Sequence, residues 1–141
     1  MTTVMSRSER EEFLAEPRVG VIAIQRDEKG PLTVPVWYWY DPGGELWFET
    51  QPDSLKGRLL KIGTRISLCV QCENPPYAYV SVEGPIVDIG TDDREQHEIP
   101  MATRYLGEPK GREYIESLPL HEWKRYVLRT ENWLSMNGSR D

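Results

Sequence analysis

Between Ser54 and Cys72 the chain carries Lys56, Arg58, Lys61 and Arg65 and no acidic residue, although its formal net charge is -6 over 141 residues. That local reversal, at the start of a predicted helix, is the chemistry of an anion site. Asp53 or Ser54 can cap the helix, and its first turn leaves backbone N–H groups unpaired. Lys56 in this turn opposes the positive end of the helix dipole, at a cost of ~0.3–1 kcal/mol that an anion would remove. Phosphate is the natural occupant. The charges fit a second reading equally: an amphipathic helix with Leu55, Leu59 and Ile62 as its apolar stripe, Lys56 and Arg58 flanking it, and Lys61 in solvent. Both stay open at this point.

Other reactive side chains are sparse. Cys69 and Cys72 form C-x-x-C, but in the strand-like run Arg65–Cys72 they project to opposite faces, so neither a disulfide nor a shared metal is expected. Buried free thiols are the expectation. His97 and His121 are isolated in sequence and read as structural or exposed. No GxSxG, HExxH, GxGxxG or P-loop pattern is present. With no catalytic residue and no metal site legible, the chemistry is expected to belong to a bound cofactor.

The elements around these residues are mostly strands. Thr33–Tyr40 is β-branched and aromatic, Asp41-Pro42-Gly43-Gly44 is turn chemistry, and Glu45–Thr50 is the return strand of a predicted hairpin. Val34, Val36, Tyr38 and Tyr40 share one face; Thr33, Pro35, Trp37 and Trp39 share the other. Pro35 has no N–H, so something other than a neighbouring strand is expected beside it. Upstream, Ser8 and Glu11 have capping-box spacing for a short helix over 6–16, with Phe13 and Leu14 as its buried contacts, and Val19–Gln25 is an apolar strand. Downstream come strands Arg65–Cys72 and Tyr77–Ile89, the latter bent at Gly84-Pro85. A helical region capped by Thr91-Asp92-Asp93, interrupted by Pro100 and running to about Leu106, a short helix over Arg112–Leu118, a strand over Glu122–Arg129 and a last edge strand over Asn132–Met136 follow. A single domain over 1–141 is expected, with a core of about 19–130 and a tail at 135–141. The class is α+β, mainly β and barrel-like.

Composition narrows the partners. At 28% charged and 10% aromatic residues the chain is that of a soluble globular protein. No apolar run is long enough to cross a membrane, and the first residues lack an apolar signal core, so a cytoplasmic location and no membrane partner are expected. An acidic chain is a poor nucleic-acid binder. A small-molecule partner is therefore expected.

The ordered series V-P-V-W-Y-x-Y-D, W-F-E-T, S-x-K, R-I-S-L and Y-x-Y-V-x-V-E-G resembles the pyridoxamine 5'-phosphate oxidase-like split-barrel family. It is most similar to its flavin- and deazaflavin-dependent oxidoreductases. The resemblance covers about Val19 to Leu106, and Arg104-Tyr105-Leu106-Gly107 resembles the helix after the barrel. It implies a six-stranded antiparallel split β-barrel with short flanking helices, forming a homodimer with a cofactor in each groove between subunits. By the same resemblance Pro35, Val36 and Trp37 lie along the tricyclic ring, and Thr50 with Ser54 and Lys56 holds the phosphate. Arg58 substitutes for an arginine that Leu55 replaces here. Leu59 stands where many relatives have asparagine. Tyr77 and Tyr79 reach the pocket from the partner. The C-terminal substrate motif of the oxidase itself is missing.

The implied function is hydride transfer from reduced coenzyme F-420, a deazaflavin, to a small organic acceptor, with FMN as the alternative cofactor. A non-catalytic flavin or deazaflavin carrier, and a dimer with an empty groove, are the competing classes. For coenzyme F-420, whose oligoglutamate tail is acidic, Arg58, Lys61, Arg104, Lys110 and Arg112 form the expected path beyond the phosphate.

Overall fold

The computed structural model describes residues 4–138. The chain opens with helix α1 (Arg7–Ala15), whose capping box is formed by Ser6 and Glu9 rather than by Ser8 and Glu11. Ser6 Oγ accepts from the Glu9 N–H, and the Glu9 carboxylate accepts from the Ser6 N–H. Leu14 on this helix is fully buried, whereas Phe13 is only half-buried.

Eight strands follow: β1 (Gly20–Ile24), β2 (Leu32–Val36), β3 (Trp39–Tyr40), β4 (Leu46–Thr50), β5 (Arg65–Cys72), β6 (Ala78–Thr91), β7 (Lys124–Leu128) and β8 (Asn132–Met136). Their hydrogen-bonded order is β2-β1-β5-β6-β7-β4-β3, antiparallel throughout, with β8 added alongside β6. The two ends of this order, β2 and β3, are consecutive in the chain and separated only by Trp37 and Tyr38. The sheet must therefore curl until its ends meet. It is a split β-barrel, and Trp37-Tyr38 is the seam.

The predicted hairpin of 33–40 with 45–50 is thus two pairings. Leu32–Val36 pairs with β1, while only Trp39 and Tyr40 pair with β4. The alternation of faces survives the break, since Val36, Tyr38 and Tyr40 all point into the core. Pro35 faces Val21 on an edge strand, where its missing N–H leaves no gap in a ladder.

The core joins the two halves of the barrel through Ile22, Leu68, Val80, Phe48 and Leu128, all essentially inaccessible. Tyr38 crosses it to donate its hydroxyl to the Leu14 carbonyl at 2.7 Å, which pins α1 across one end of the barrel. Burial pushes the Tyr38 hydroxyl well above the usual tyrosine range. Helix α2 (Leu55–Leu59) is one short turn capped by Ser54. It buries Gly57 and the following Leu60, while Leu55 and Ile62 stay exposed, so the expected Leu55–Leu59–Ile62 stripe is not its inward face. Gly57 packs so closely on the Gln51–Pro52 backbone that a Cβ would lie 2.2 Å from the Gln51 carbonyl oxygen. That contact, not apolar periodicity, sets the rotation of the helix.

After β6 come a π-helical turn (Arg94–Glu98), α3 (Ile99–Leu106) and α4 (Lys110–Ser117). Pro100 stands in the first turn of α3, where a missing N–H costs nothing, so it starts the helix and does not interrupt it. Cys69 and Cys72 are free thiols on β5, exposed and half-buried respectively, not buried as expected. The last strand expected over Asn132–Met136 is β8, so Ser135 and Met136 lie in it and not in the tail drawn from 135, and Ser135 Oγ accepts from the Met5 N–H at 3.1 Å. Residues 139–141 of that tail lie outside the described residues. No helix among the described residues is long and apolar enough to cross a membrane.

Candidate functional site

Lys56 opens the site. It is half-buried at the start of α2 and, among the described residues, has no ion-pair partner. Burial alone pushes its ammonium below the usual lysine range. A lysine that carries this desolvation without a counter-charge is placed to receive an anion.

Its surroundings are those the sequence singled out. Pro35, Val36, Trp37 and Lys56 line one cavity of about 200 Å³, together with Glu49, Glu98, Met101, Tyr114, Ile115 and Trp123. A shallow hollow of about 330 Å³ continues it past Val19, again along Pro35, Val36, Trp37 and Tyr114. The open edge of β2 therefore forms the wall of a groove, and its outward proline exposes backbone and ring with no strand beside it. A larger hollow of about 500 Å³ lies elsewhere, around Arg7, Arg10, Tyr40 and Trp133, and shares none of these residues.

Trp37 is held rigidly. Its ring stacks on Tyr105 at 4.9 Å between centroids and 6° between planes, and meets the edge of Tyr114 at 6.1 Å. Tyr105 in turn closes the seam: its hydroxyl accepts from the Tyr38 N–H at 3.1 Å and donates to the Arg18 carbonyl at 2.7 Å. The backbone groups left over where β2 stops are thereby satisfied by a side chain from α3. Tyr105 had appeared in sequence only as part of a helix motif. Neither its role nor Tyr114's has a local sequence signal, because both act across more than sixty residues of chain.

The other expected residues fall in two groups. Thr50 is buried at the end of β4 and its hydroxyl lies 3.3 Å from that of Ser54. Ser54 Oγ accepts from the Gly57 N–H at 3.1 Å and donates to the Gln51 carbonyl at 2.7 Å. Thr50 and Ser54 thus build the turn that carries Lys56, and the Ser54 hydroxyl proton is already committed within it. Arg58 is exposed and outside the cavity wall. Tyr77 precedes β6 and is 58% exposed, and Tyr79 is half-buried on the outer face of β6; neither lines the groove of its own chain.

Of the late cations expected beyond the phosphate, Arg104 packs among the rings of Tyr38, Trp39 and Tyr105 and donates to the Ala15 carbonyl at 2.8 Å. Arg112 is paired with Glu95 at 2.9 Å. Arg104 is thus committed inside the fold and Arg112 to a surface ion pair, which leaves Arg58, Lys61 and Lys110 exposed and outside any ion pair among the described residues.

The acidic floor of the cavity has no local sequence signal. Glu49, Asp92 and Glu98 bring carboxylate oxygens within 4.8 Å of one another. Glu98 accepts from or shares a proton with His121 Nε2 at 2.8 Å and faces Arg94 at 3.8 Å. Burial first, and then the neighbouring Asp92, push Glu49 up to about 10. In the ion-free protein this direction favours the protonated form of the Glu49 carboxyl. Between the ordinary carboxyl range and that value the folded protein holds a proton the unfolded chain releases, so stability falls as pH rises across the window. Denaturant unfolding from roughly pH 5 to 9, with no divalent cation added, is expected to show a shallower loss for Glu49→Gln than for the parent. Equal slopes would mean Glu49 ionises normally.

The sequence profile of the pyridoxamine 5'-phosphate oxidase family matches residues 6–133. The chain belongs to this family. Among solved structures, a conserved hypothetical protein from Mycobacterium tuberculosis superposes with TM-score 0.73 at 21% identity, covering 94% of this chain and 85% of that one. A FAD-binding protein from Mesorhizobium loti gives TM-score 0.67 at 21% identity, covering 99% and 98%. An F420 reductase gives TM-score 0.59 at 24% identity, covering 87% and 94%. These likenesses are of fold. No curated protein matches the chain. The groove along β2 presents a flat aromatic wall, an open strand edge and a lysine that has no ion-pair partner among the described residues.

Proposed function

We propose that this protein is an oxidoreductase that binds coenzyme F-420 in the groove along Pro35–Trp37 and passes a hydride to a small organic acceptor. The observation that carries the reading is the half-buried, unpaired Lys56 in the same cavity wall as Pro35, Val36 and Trp37. A bound deazaflavin supplies the hydride chemistry, and the chain supplies placement. Lys56 takes the phosphate, with Thr50 and Ser54 fixing the turn that holds it. The backbone of Pro35 and Val36 lies along the ring, and Trp37, locked by Tyr105, closes one side and excludes water.

The reading includes a homodimer. Val21, Cys69, Ser81 and Leu134 stand in one row across β1, β5, β6 and β8, with Val21 and Leu134 43% and 62% exposed. Tyr79 shares this outward face, and Tyr77 lies beside it, where a second copy would receive them. Such a row is what a symmetric interface covers. Sedimentation is expected to give a dimer for the parent and a monomer for Leu134→Glu; a monomeric parent at micromolar concentration contradicts the shared groove.

A flavin such as FMN in the same groove is the second reading, favoured by the FAD-binding protein of the same fold. The test of catalysis is oxidation of reduced coenzyme F-420, followed by absorbance, with quinones and enones offered as acceptors. Acceptor-dependent oxidation is expected. Tight binding without turnover on any acceptor would make the protein a carrier.

A further inference from the structure

We propose that Glu49, Asp92 and Glu98 form a binding site for one hard divalent cation, of Ca²⁺ or Mn²⁺ size, beneath the groove. The three come from separate elements, the end of β4, the residue after β6 and the π-helical turn, yet their oxygens converge within 4.8 Å. Oxygens bound to one Ca²⁺ at ~2.3–2.6 Å lie no more than about 5 Å apart, so the spacing suits such an ion, with water completing its shell.

Asp92 points independently to a ligand. Its side chain is wholly buried, and neither of its oxygens has a hydrogen-bond partner. The nearest candidate donor fails: His97 Nδ1 lies 3.4 Å from Asp92 Oδ1, but that nitrogen accepts the Asp93 N–H at 2.9 Å, so it presents no proton to Asp92. Glu49 Oε2 is likewise buried and unpartnered. Buried carboxylates without donors are rare because each forfeits its hydration, and a cation placed among them restores it.

The cations around the cluster address Glu98 and Glu49 and leave Asp92 without a donor. Arg94 and His121 both address Glu98, the histidine in the carboxylate–histidine arrangement that orients metal ligands. Arg125 stands opposite Glu49 across β4 and β7, with its guanidinium over Trp47. Lys56 faces the groove. None donates to Asp92. The competing occupant is a proton shared between Glu49 and Asp92, whose carboxyl groups lie within hydrogen-bonding reach of one another.

The inference does not depend on the cofactor reading, and its test uses the full chain without flavin. Chelator-stripped protein is titrated with Ca²⁺, Mn²⁺ and Mg²⁺ by calorimetry at pH 8, with melting curves alongside. One equivalent of Ca²⁺ or Mn²⁺ per chain is expected, together with a Tm that rises with ion concentration. Asp92→Asn, nearly isosteric, should abolish binding, and Glu49→Gln should weaken it at least roughly tenfold. No binding by the parent at millimolar ion overturns the site and assigns the cluster to a shared proton. So does parent-like binding by a folded Asp92→Asn or, if that variant does not fold, by Glu49→Gln.

Discussion

Lys56→Ala is expected to weaken cofactor binding by roughly 10- to 150-fold, the equivalent of the ~1.5–3 kcal/mol carried by a charge-assisted hydrogen bond. The effect is local because Lys56 alone among the basic residues of this segment sits in the cavity wall, whereas Arg58 and Lys61 are exposed. Lys61→Ala therefore serves as the comparison and should change affinity far less. Tryptophan fluorescence titration of the two variants decides it. Parent-like binding by both removes the phosphate from this turn, and equal losses would reduce Lys56 to a contributor to the general field.

Gly84→Ala is expected to be the most damaging single methyl addition in the barrel. A Cβ built at Gly84 lies 1.8 Å from the Arg129 carbonyl oxygen, a backbone atom that cannot swing aside. This is where the chain leaving β7 crosses β6, with Arg129 N–H bonded to the Pro85 carbonyl and Glu131 N–H to the Glu83 carbonyl. Relief requires moving that crossing and with it the start of β8. The cost should reach the top of the overpacking range, ~3 kcal/mol or more. By comparison Leu14→Ala, which empties a buried site, should cost ~2–5 kcal/mol. Urea unfolding of the purified variant measures it, and a loss below about 1 kcal/mol would show that the crossing adapts.

Much of this architecture was legible because strand faces announce themselves. The alternation at Val36, Tyr38 and Tyr40 is continuous in sequence and equally so in the barrel. What alternation could not reveal was the change of partner at Trp37-Tyr38, since a strand that leaves one neighbour for another keeps its period of two. Pro35 was the usable clue, and it marked the open edge. Lys56 was legible as a charge out of place. The rotation of α2 was not, because a glycine packed on backbone decides it and Leu55 and Leu59 mimic an inward stripe.

The acidic floor escaped for a related reason. In sequence Glu49 is only a member of the W-F-E-T strand motif and Asp92 part of a helix cap, while Glu98 sits in a polar run. Their meeting is tertiary. The same holds for Arg104 and Arg112, which look like free cations in sequence and are consumed by aromatic rings, a helix-end carbonyl and Glu95 in the fold.

The central claim, a phosphate-bearing deazaflavin in the groove beside Trp37, is tested most directly by titrating the protein with coenzyme F-420 and with FMN while following tryptophan quenching. Both ligands carry a phosphate for Lys56. Only F-420 has an acidic tail that meets the exposed Arg58, Lys61 and Lys110, and at ~0.15 M salt screening already shortens electrostatic reach to about 8 Å. Quenching by both ligands is expected, with tighter binding of F-420 at low salt and a steeper loss of F-420 affinity as salt is added. Tighter binding of FMN with equal salt slopes would contradict the choice of deazaflavin, and no quenching by either ligand would contradict the site.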